Sequence, residues 1–406
     1  MTKQAKSPAH NLSELKTRLG ELLPGFAAAY PERDEACEFP HQEIKALKEA
    51  GFMKLTVPEK LGGFGATAAD SIAITQQIAE AFPSLAQVLA VHSAMVSTLI
   101  EFGSPKQVAS VLSRVVNDDL FIGNATSEKG SNRVHTFETV FEDTEDGVSI
   151  NGRKFFTTGS PAADLLLVFG RHHDTLGVAI TPADAQGITI QNNWSAMGQR
   201  GTGSGGIEFR DLYVPHANLL NGIDILNLPD SSVIGPIYQL GFSAMYVGMA
   251  KGALTCATEY VRTNARPWME SNVAHAVEDP YILTEIGTLQ AYASAAEALV
   301  SQAALKVNKV NDALQQDLST EVIADLRAQA AVLVAQAKVV STEVALRVCQ
   351  DIFQTTGARS TLAEQRLDRF WRDARTLTLH DPKPYKARLI GEALLQGKRP
   401  AISMLS

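Results

Sequence analysis

Cysteine is scarce in this chain: Cys37, Cys256 and Cys349 stand far apart in 406 residues, odd in number and without Cys-x-x-Cys spacing. A disulfide framework and a thiolate metal cluster are thereby excluded, and three buried apolar thiols in a reducing compartment are expected. A basic surplus is missing too. With Lys+Arg 36 against Asp+Glu 44 the net charge is -8, which argues against the concentrated basic face that grips nucleic-acid phosphates. No apolar run approaches the roughly 18 residues that cross a bilayer. The polar opening from Met1 to Leu12 lacks an export pattern, so a cytoplasmic protein with no membrane partner is expected. No dinucleotide-binding glycine fingerprint is read. His172 and His173 fall between expected strands, no histidine pair has a convincing ligand spacing, and so no metal is expected.

What the chain does have is core material: 45% of its residues are hydrophobic and 20% charged, enough for two or three units in one body. From Asn11 to Phe121 the apolar residues recur at helical spacing, interrupted by a glycine-rich loop between Thr56 and Ala66. Between Thr139 and Val214 short β-favouring runs alternate with turn signals such as Asp146-Gly147 and Asn151-Gly152. Beyond Ile225 long helices return. Thr320 to Phe353 holds neither Gly nor Pro, and at 1.5 Å per residue it spans roughly 50 Å, which demands partners in a bundle. Gly248 and Gly252, four apart, predict a close helix approach. The expected organisation is α+β and mostly α: residues 1–120 helical, 121–226 a compact antiparallel β domain, 227–406 a helical bundle.

Several local strings point the same way. Glu32-Arg33-Asp34 with Phe39-Pro40, Val57-Pro58-Glu59-Lys60 with Gly62-Gly63-Phe64-Gly65, the hairpin string from Asn151 to Gly159, and Gly198-Gln199-Arg200 with Ile207-Glu208-Phe209 together resemble the acyl-CoA dehydrogenases. In those enzymes a glutamate followed by glycine comes shortly after an Arg-Asp-Ala element and removes the substrate's α-proton. Here Arg372-Asp373-Ala374 leads into Leu379-His380-Asp381-Pro382, and no glutamate occurs between Asp373 and Gly391. That ending resembles the two-component flavin monooxygenases of the same fold, of the dibenzothiophene monooxygenase type.

The resemblance implies an enzyme that takes reduced FMN (FMNH2) from a separate flavin reductase, binds oxygen as a C4a-hydroperoxyflavin and oxygenates a small, sulfur-containing substrate. His380 is the implied proton donor or hydrogen-bond partner beside the flavin, with Asp381 orienting it. His92 resembles a histidine lining the substrate pocket, although a histidine on an apolar helix also reads as a hydrogen-bonded core residue. Asn124, Thr126 and Ser127 match the segment that meets the flavin ring, Thr158 a hydroxyl residue near flavin N5 with Thr157 beside it in the cofactor set, and Trp194 an aromatic against the ring. Arg266 is the implied phosphate ligand, since a guanidinium grips two oxygens at once. Gln354 to Ser360 replaces a glycine-rich pyrophosphate loop with Ala358, Arg359 and Ser360, which favours FMN over FAD and adds Arg359 to the cofactor set. Because such elements complete a neighbour's site, a homotetramer is implied. Val96, Phe242 and Met245 are candidate pocket walls. Two alternatives stand beside this reading: an FAD-dependent acyl-CoA dehydrogenase or oxidase whose base is Glu259 or Asp373, and a non-catalytic helical scaffold.

Overall fold

A computed structural model describes residues 8–130, 137–220, 228–229, 232–316 and 318–403; the expected junction at 226/227 and most of the opening segment lie outside these. Five helices come first: α1 (Pro8–Ala36), α2 (His41–Ala50), α3 (Ala68–Ala81), α4 (Pro83–Phe102) and α5 (Pro105–Asp118). Their starts are written locally. Thr67 and Asp70 form a reciprocal capping box on α3, as do Ser104 and Gln107 on α5, satisfying main-chain amides that have no intrahelical acceptor.

Helix α4 departs from the expectation that nothing in the chain could span a bilayer. Its 20 residues carry a mean hydropathy of 1.5 over an 18-residue window, which meets the length and composition required. The physical reason is burial: 61% of that window lies inside the protein, so the apolar surface is core.

Seven strands follow: β1 (Ile122–Ala125), β2 (Val140–Asp143), β3 (Gly147–Lys154), β4 (Leu165–His172), β5 (Thr175–Pro182), β6 (Ile188–Ile190) and β7 (Ile207–Pro215). They join in the order β1-β4-β2-β3-β7-β6, with β5 on the other edge of β4. The sheet is mixed. β1 and β2 both run parallel to β4 and occupy successive stretches of one edge, Leu165 to Val168 and then Arg171 to His172, while the remaining pairs are antiparallel. Parallel neighbours need long crossovers, which the segments from β1 to β4 supply. Glycines 201 to 206 run into strand β7 and open no helix, so they do not make a dinucleotide loop.

Helices α6 (Ile234–Thr263), α7 (Pro280–Gln315) and α8 (Thr320–Thr356) are 30, 36 and 37 residues long and pack side by side. The short α9 (Arg369–Leu377) and α10 (Lys383–Gln396) pack against α8. At Gly248 and Gly252 a Cβ would lie 2.5 Å from the Gln76 carbonyl and 2.3 Å from the Glu80 carbonyl, so their lack of a side chain is what lets α6 touch the backbone of α3. The β domain is tied in by charge. Lys48 on α2 meets Asp164 at 2.6 Å, and the same carboxylate accepts the Phe121 amide at 2.6 Å.

Candidate active site

The nine residues of α9 bring two groups of candidate side chains to neighbouring turns. Asp373 and Leu377, four apart, share a face of the helix. At the Leu377 end its carbonyl accepts the Tyr246 hydroxyl at 3.1 Å, and Lys338 from α8 donates to that hydroxyl at 3.2 Å. The Lys338 ammonium also lies 4.4 Å from the centre of the Phe242 ring, and Phe242 packs on His380 with ring centres 4.2 Å apart. His380 is an exposed residue whose ring is nevertheless crowded by the protein on its Phe242 side. That crowding and then the Lys338 charge push the imidazole down to about 4, so it is neutral at pH 7 with one N–H and one lone pair. Burial likewise brings Lys338 down to about 7. Asp381 is buried and pairs with Lys386 on α10 at 3.0 Å.

At the Asp373 end the carboxylate accepts the Tyr30 hydroxyl at 2.6 Å and the Gln199 amide. Burial, then the nearby Asp34, pushes Asp373 up to about 7. From Gln199 a line of hydroxyls leads onward: its carbonyl accepts Thr202 at 2.8 Å, Thr202 shares a hydrogen bond with Ser204 at 2.7 Å, and Ser204 with Thr158 at 2.7 Å. The same carbonyl accepts the Trp194 indole at 2.9 Å. Gly198 makes the junction possible, because a Cβ there would lie 2.0 Å from the Arg372 carbonyl.

Trp194, Phe155 and Phe156 form an aromatic cluster with ring centres 5.1 to 6.2 Å apart. Phe156 is 51% exposed and held at φ 60, a conformation costly for a bulky residue and concentrated at ligand sites. Beside it the buried Lys154 and Glu128 pair at 2.6 Å, and Glu128 also accepts two main-chain amides. With the Phe155 amide donating to the Ser127 carbonyl at 2.8 Å, this pair joins the segment after β1 to the end of β3. On β1 the Oδ1 of Asn124 is buried and, among the described residues, has no hydrogen-bond partner. An orphaned buried acceptor is what a planar ligand with N–H groups would satisfy, and the exposed Phe156 offers such a ligand an aromatic face, so these residues fit a flavin ring.

Two of the expected residues are engaged with the fold itself. His92 accepts the Ile122 amide on Nδ1 at 2.9 Å, and its Nε2 meets the Met53 carbonyl at 2.9 Å. Both ring nitrogens are occupied, burial holds the imidazole down to about 4, and no nitrogen is left for a substrate. Thr157 differs from expectation in the same way: its hydroxyl is bonded to the Gly205 carbonyl at 2.8 Å. Thr126 is half-buried and Ser127 exposed. Of the candidate walls, Phe242 meets His380, whereas Val96 and Met245 lie in the core.

Away from α9, Arg359 donates to the Asn264 carbonyl at 2.6 Å, which brings it to the segment that carries Arg266. Arg266 is exposed and has no ion-pair partner among the described residues. Ser360 turns its hydroxyl onto the Gly357 carbonyl at 2.7 Å, closing the turn upon itself. Glu259, one of the alternative bases, is 65% exposed beside Arg262. The thiol expectation needs correction: Cys349 is buried, but Cys256 is half-buried and Cys37 is exposed, since Cys37 lies just past the end of α1 at φ 53. Lys338 is the residue sequence reasoning missed, although a lone cation in an apolar helical run was its signal.

Known proteins place these observations in a family. Three successive models match the chain: the acyl-CoA dehydrogenase N-terminal domain over residues 21–119, the middle domain over 124–212 and the C-terminal domain over 240–382. Across 391 residues the chain is 34% identical to a dibenzothiophene monooxygenase of Mycolicibacterium goodii, covering 94% of this chain and 93% of that protein. It is 32% identical over 389 residues to SfnC of Pseudomonas putida, a probable FMNH2-dependent monooxygenase, covering 95% and 96%. TdsC of Paenibacillus sp. A11-2, crystallised with FMN and indole, has the same fold with a TM-score of 0.88 at 31% identity, over 97% of this chain and 99% of that one. With three family domains in order and such relatives along nearly its whole length, the chain belongs to the acyl-CoA dehydrogenase family, on its dibenzothiophene monooxygenase side.

Proposed function

We propose that this chain is a flavin-dependent monooxygenase that uses reduced FMN and oxygen to oxygenate a small sulfur compound. The observation that carries the reading is the position of His380, packed on Phe242 just past the end of α9 and followed by Asp381, which pairs with Lys386. A dehydrogenase needs a carboxylate there to take an α-proton; a neutral imidazole serves instead as a hydrogen-bond partner. The relatives' names support FMN and a sulfur substrate.

Reduced FMN, when bound, supplies the two electrons that let one oxygen atom enter the substrate while the other leaves as water. Asn124, Thr126 and Ser127 would hold the ring's polar edge. Thr158 would present a hydroxyl whose direction is set by Ser204 and Thr202. Trp194 and Phe156 would cover the ring and keep water away. Arg266 and Arg359 would take the phosphate, each a guanidinium able to grip two oxygens. His380 would donate its single N–H toward the reacting oxygen, with Phe242 fixing the ring plane. A separate reductase, a homotetramer and a cytoplasmic location belong to the same proposal; the reductase would supply the reduced cofactor that the reaction consumes.

The test is direct. Purified chain is given photoreduced FMN anaerobically, then 18O-labelled oxygen and dibenzothiophene as a probe. One labelled atom per product molecule is expected. Reduction of bound FAD by an acyl-CoA would favour the dehydrogenase instead, and absence of any flavin binding would leave a scaffold.

A further inference from the structure

Far along β4 from the flavin-binding segment, three side chains that the proposed oxygenation does not use converge on one point. The Nε2 of His172 lies 2.8 Å from one oxygen of Asp143, and the Nε2 of His173 lies 2.9 Å from the other. The two imidazole rings stack with centres 4.5 Å apart at 30°. The potential ligand atoms of all three all lie within 4.8 Å of one another. We propose that Asp143, His172 and His173 form a binding site for a divalent transition-metal ion of the zinc class, separate from the flavin site.

The fold, not chain proximity, assembles this group. Asp143 ends β2 and His172 ends β4, and the parallel register that sets Phe141 opposite His172 brings both strand ends to the same corner. Successive residues of a strand point to opposite faces, so a second histidine in regular extension would turn away. His173 escapes that alternation. It opens the two-residue turn between β4 and β5 at φ 51, a left-handed conformation that non-glycine residues seldom hold, and the bend returns its imidazole to the side of Asp143.

The donor chemistry suits the ion. Two neutral imidazole nitrogens and one carboxylate oxygen are borderline and hard ligands of the kind zinc accepts at about 2.0–2.2 Å, with a fourth position left to water. Coordination would ask the present hydrogen-bonded atoms to part by about half an ångström, a small change for half-buried and exposed side chains. The location also gives the ion something to do. Among the described residues the pairs Val140 with Arg171 and Phe141 with His172 join β2 to β4, and an ion held by Asp143 from one strand and by His172 and the following His173 would staple that short seam.

Chelator-treated full chain titrated with Zn2+ by calorimetry should bind one equivalent, and the melting temperature should rise with Zn2+. His172→Ala, His173→Ala and Asp143→Asn should each weaken binding at least tenfold and remove the thermal response, with the circular dichroism spectrum kept. In the unaltered chain Co2+ should develop the visible ligand-field absorption of a nitrogen and oxygen site, a readout that does not depend on any variant folding. Zinc affinity equal in parent and His172→Ala/His173→Ala double variant, or a Co2+ spectrum identical to that of the free ion, would overturn the proposal.

Discussion

His380 and Lys338 both pack on the Phe242 ring, and the Lys338 charge helps hold the His380 imidazole down to about 4. Replacing Lys338 by Met should move the His380 titration upward from about 4, because one of the forces holding it down is removed; side-chain NMR titration reads this without turnover. His380→Ala should lower oxygenation by about 100-fold while leaving FMN affinity nearly intact, as expected for a group that acts on the reacting oxygen and not on the cofactor's anchor points. His92 supports a different measurement. Below pH 6.5 the unfolded chain takes up a proton that the folded chain refuses until about 4, so the folded state binds fewer protons and stability falls as pH falls through that window. The loss is about 1.4 kcal/mol per pH unit, on the order of 3 kcal/mol in all. Urea midpoints between pH 7 and pH 4 should therefore drop less steeply in His92→Gln than in the parent; equal slopes would show that this imidazole is not what titrates.

At the scale of elements, α9 is the hinge of the site's geometry. One turn of it holds Asp373 under Gln199 and Tyr30, and the next presents Leu377 to Tyr246, so the hydroxyl line ending at Thr158 and the position of His380 are fixed relative to each other by a single helix. The contact of α6 with α3 is equally exacting. Gly252→Val would drive a Cβ into the Glu80 carbonyl and into the Phe370 ring on α9, with an expected cost of about 3 kcal/mol or more. A chemical unfolding midpoint within experimental error of the parent would mean the two helices can part cheaply. Element order and the long helices were legible from periodicity, and so was the close approach at Gly248 and Gly252. The mixed character of the sheet was not, because β1 is four residues long and pairs with a strand some forty positions away, a choice that local alternation does not encode.

For the whole molecule the surface is the telling feature. Met269 and Tyr281 are 86% and 82% exposed, Leu394 and Leu395 on α10 are 76% and 89% exposed, and Trp268 lies in the same segment as Met269. Large uncovered apolar side chains of this kind mark surfaces that another protein covers. Together with Arg266 and Arg359, which stand exposed near one of these stretches, they support the proposed homotetramer. Sedimentation should give four chains per particle, and Leu394→Asp with Leu395→Asp should reduce the mass if α10 lies in an interface; a monomeric parent would end the proposal.

The order of the chain settled by itself the helical and β regions, the family and the departure that matters most, a histidine followed by Asp381-Pro382 where a glutamate base would stand. These are properties of residue type and spacing, which survive without coordinates. Tertiary structure alone decided which candidates keep a free polar atom. His92 and Asn124 are both polar residues in apolar surroundings, yet packing gives the imidazole two main-chain partners and leaves the carboxamide oxygen with none among the described residues. It also decided that Lys338 and His380 both meet Phe242 and that Asp143 meets two histidines, since a side chain's charge and its hydrogen bonds are set by neighbours distant along the chain, and those neighbours exist only once the chain has folded.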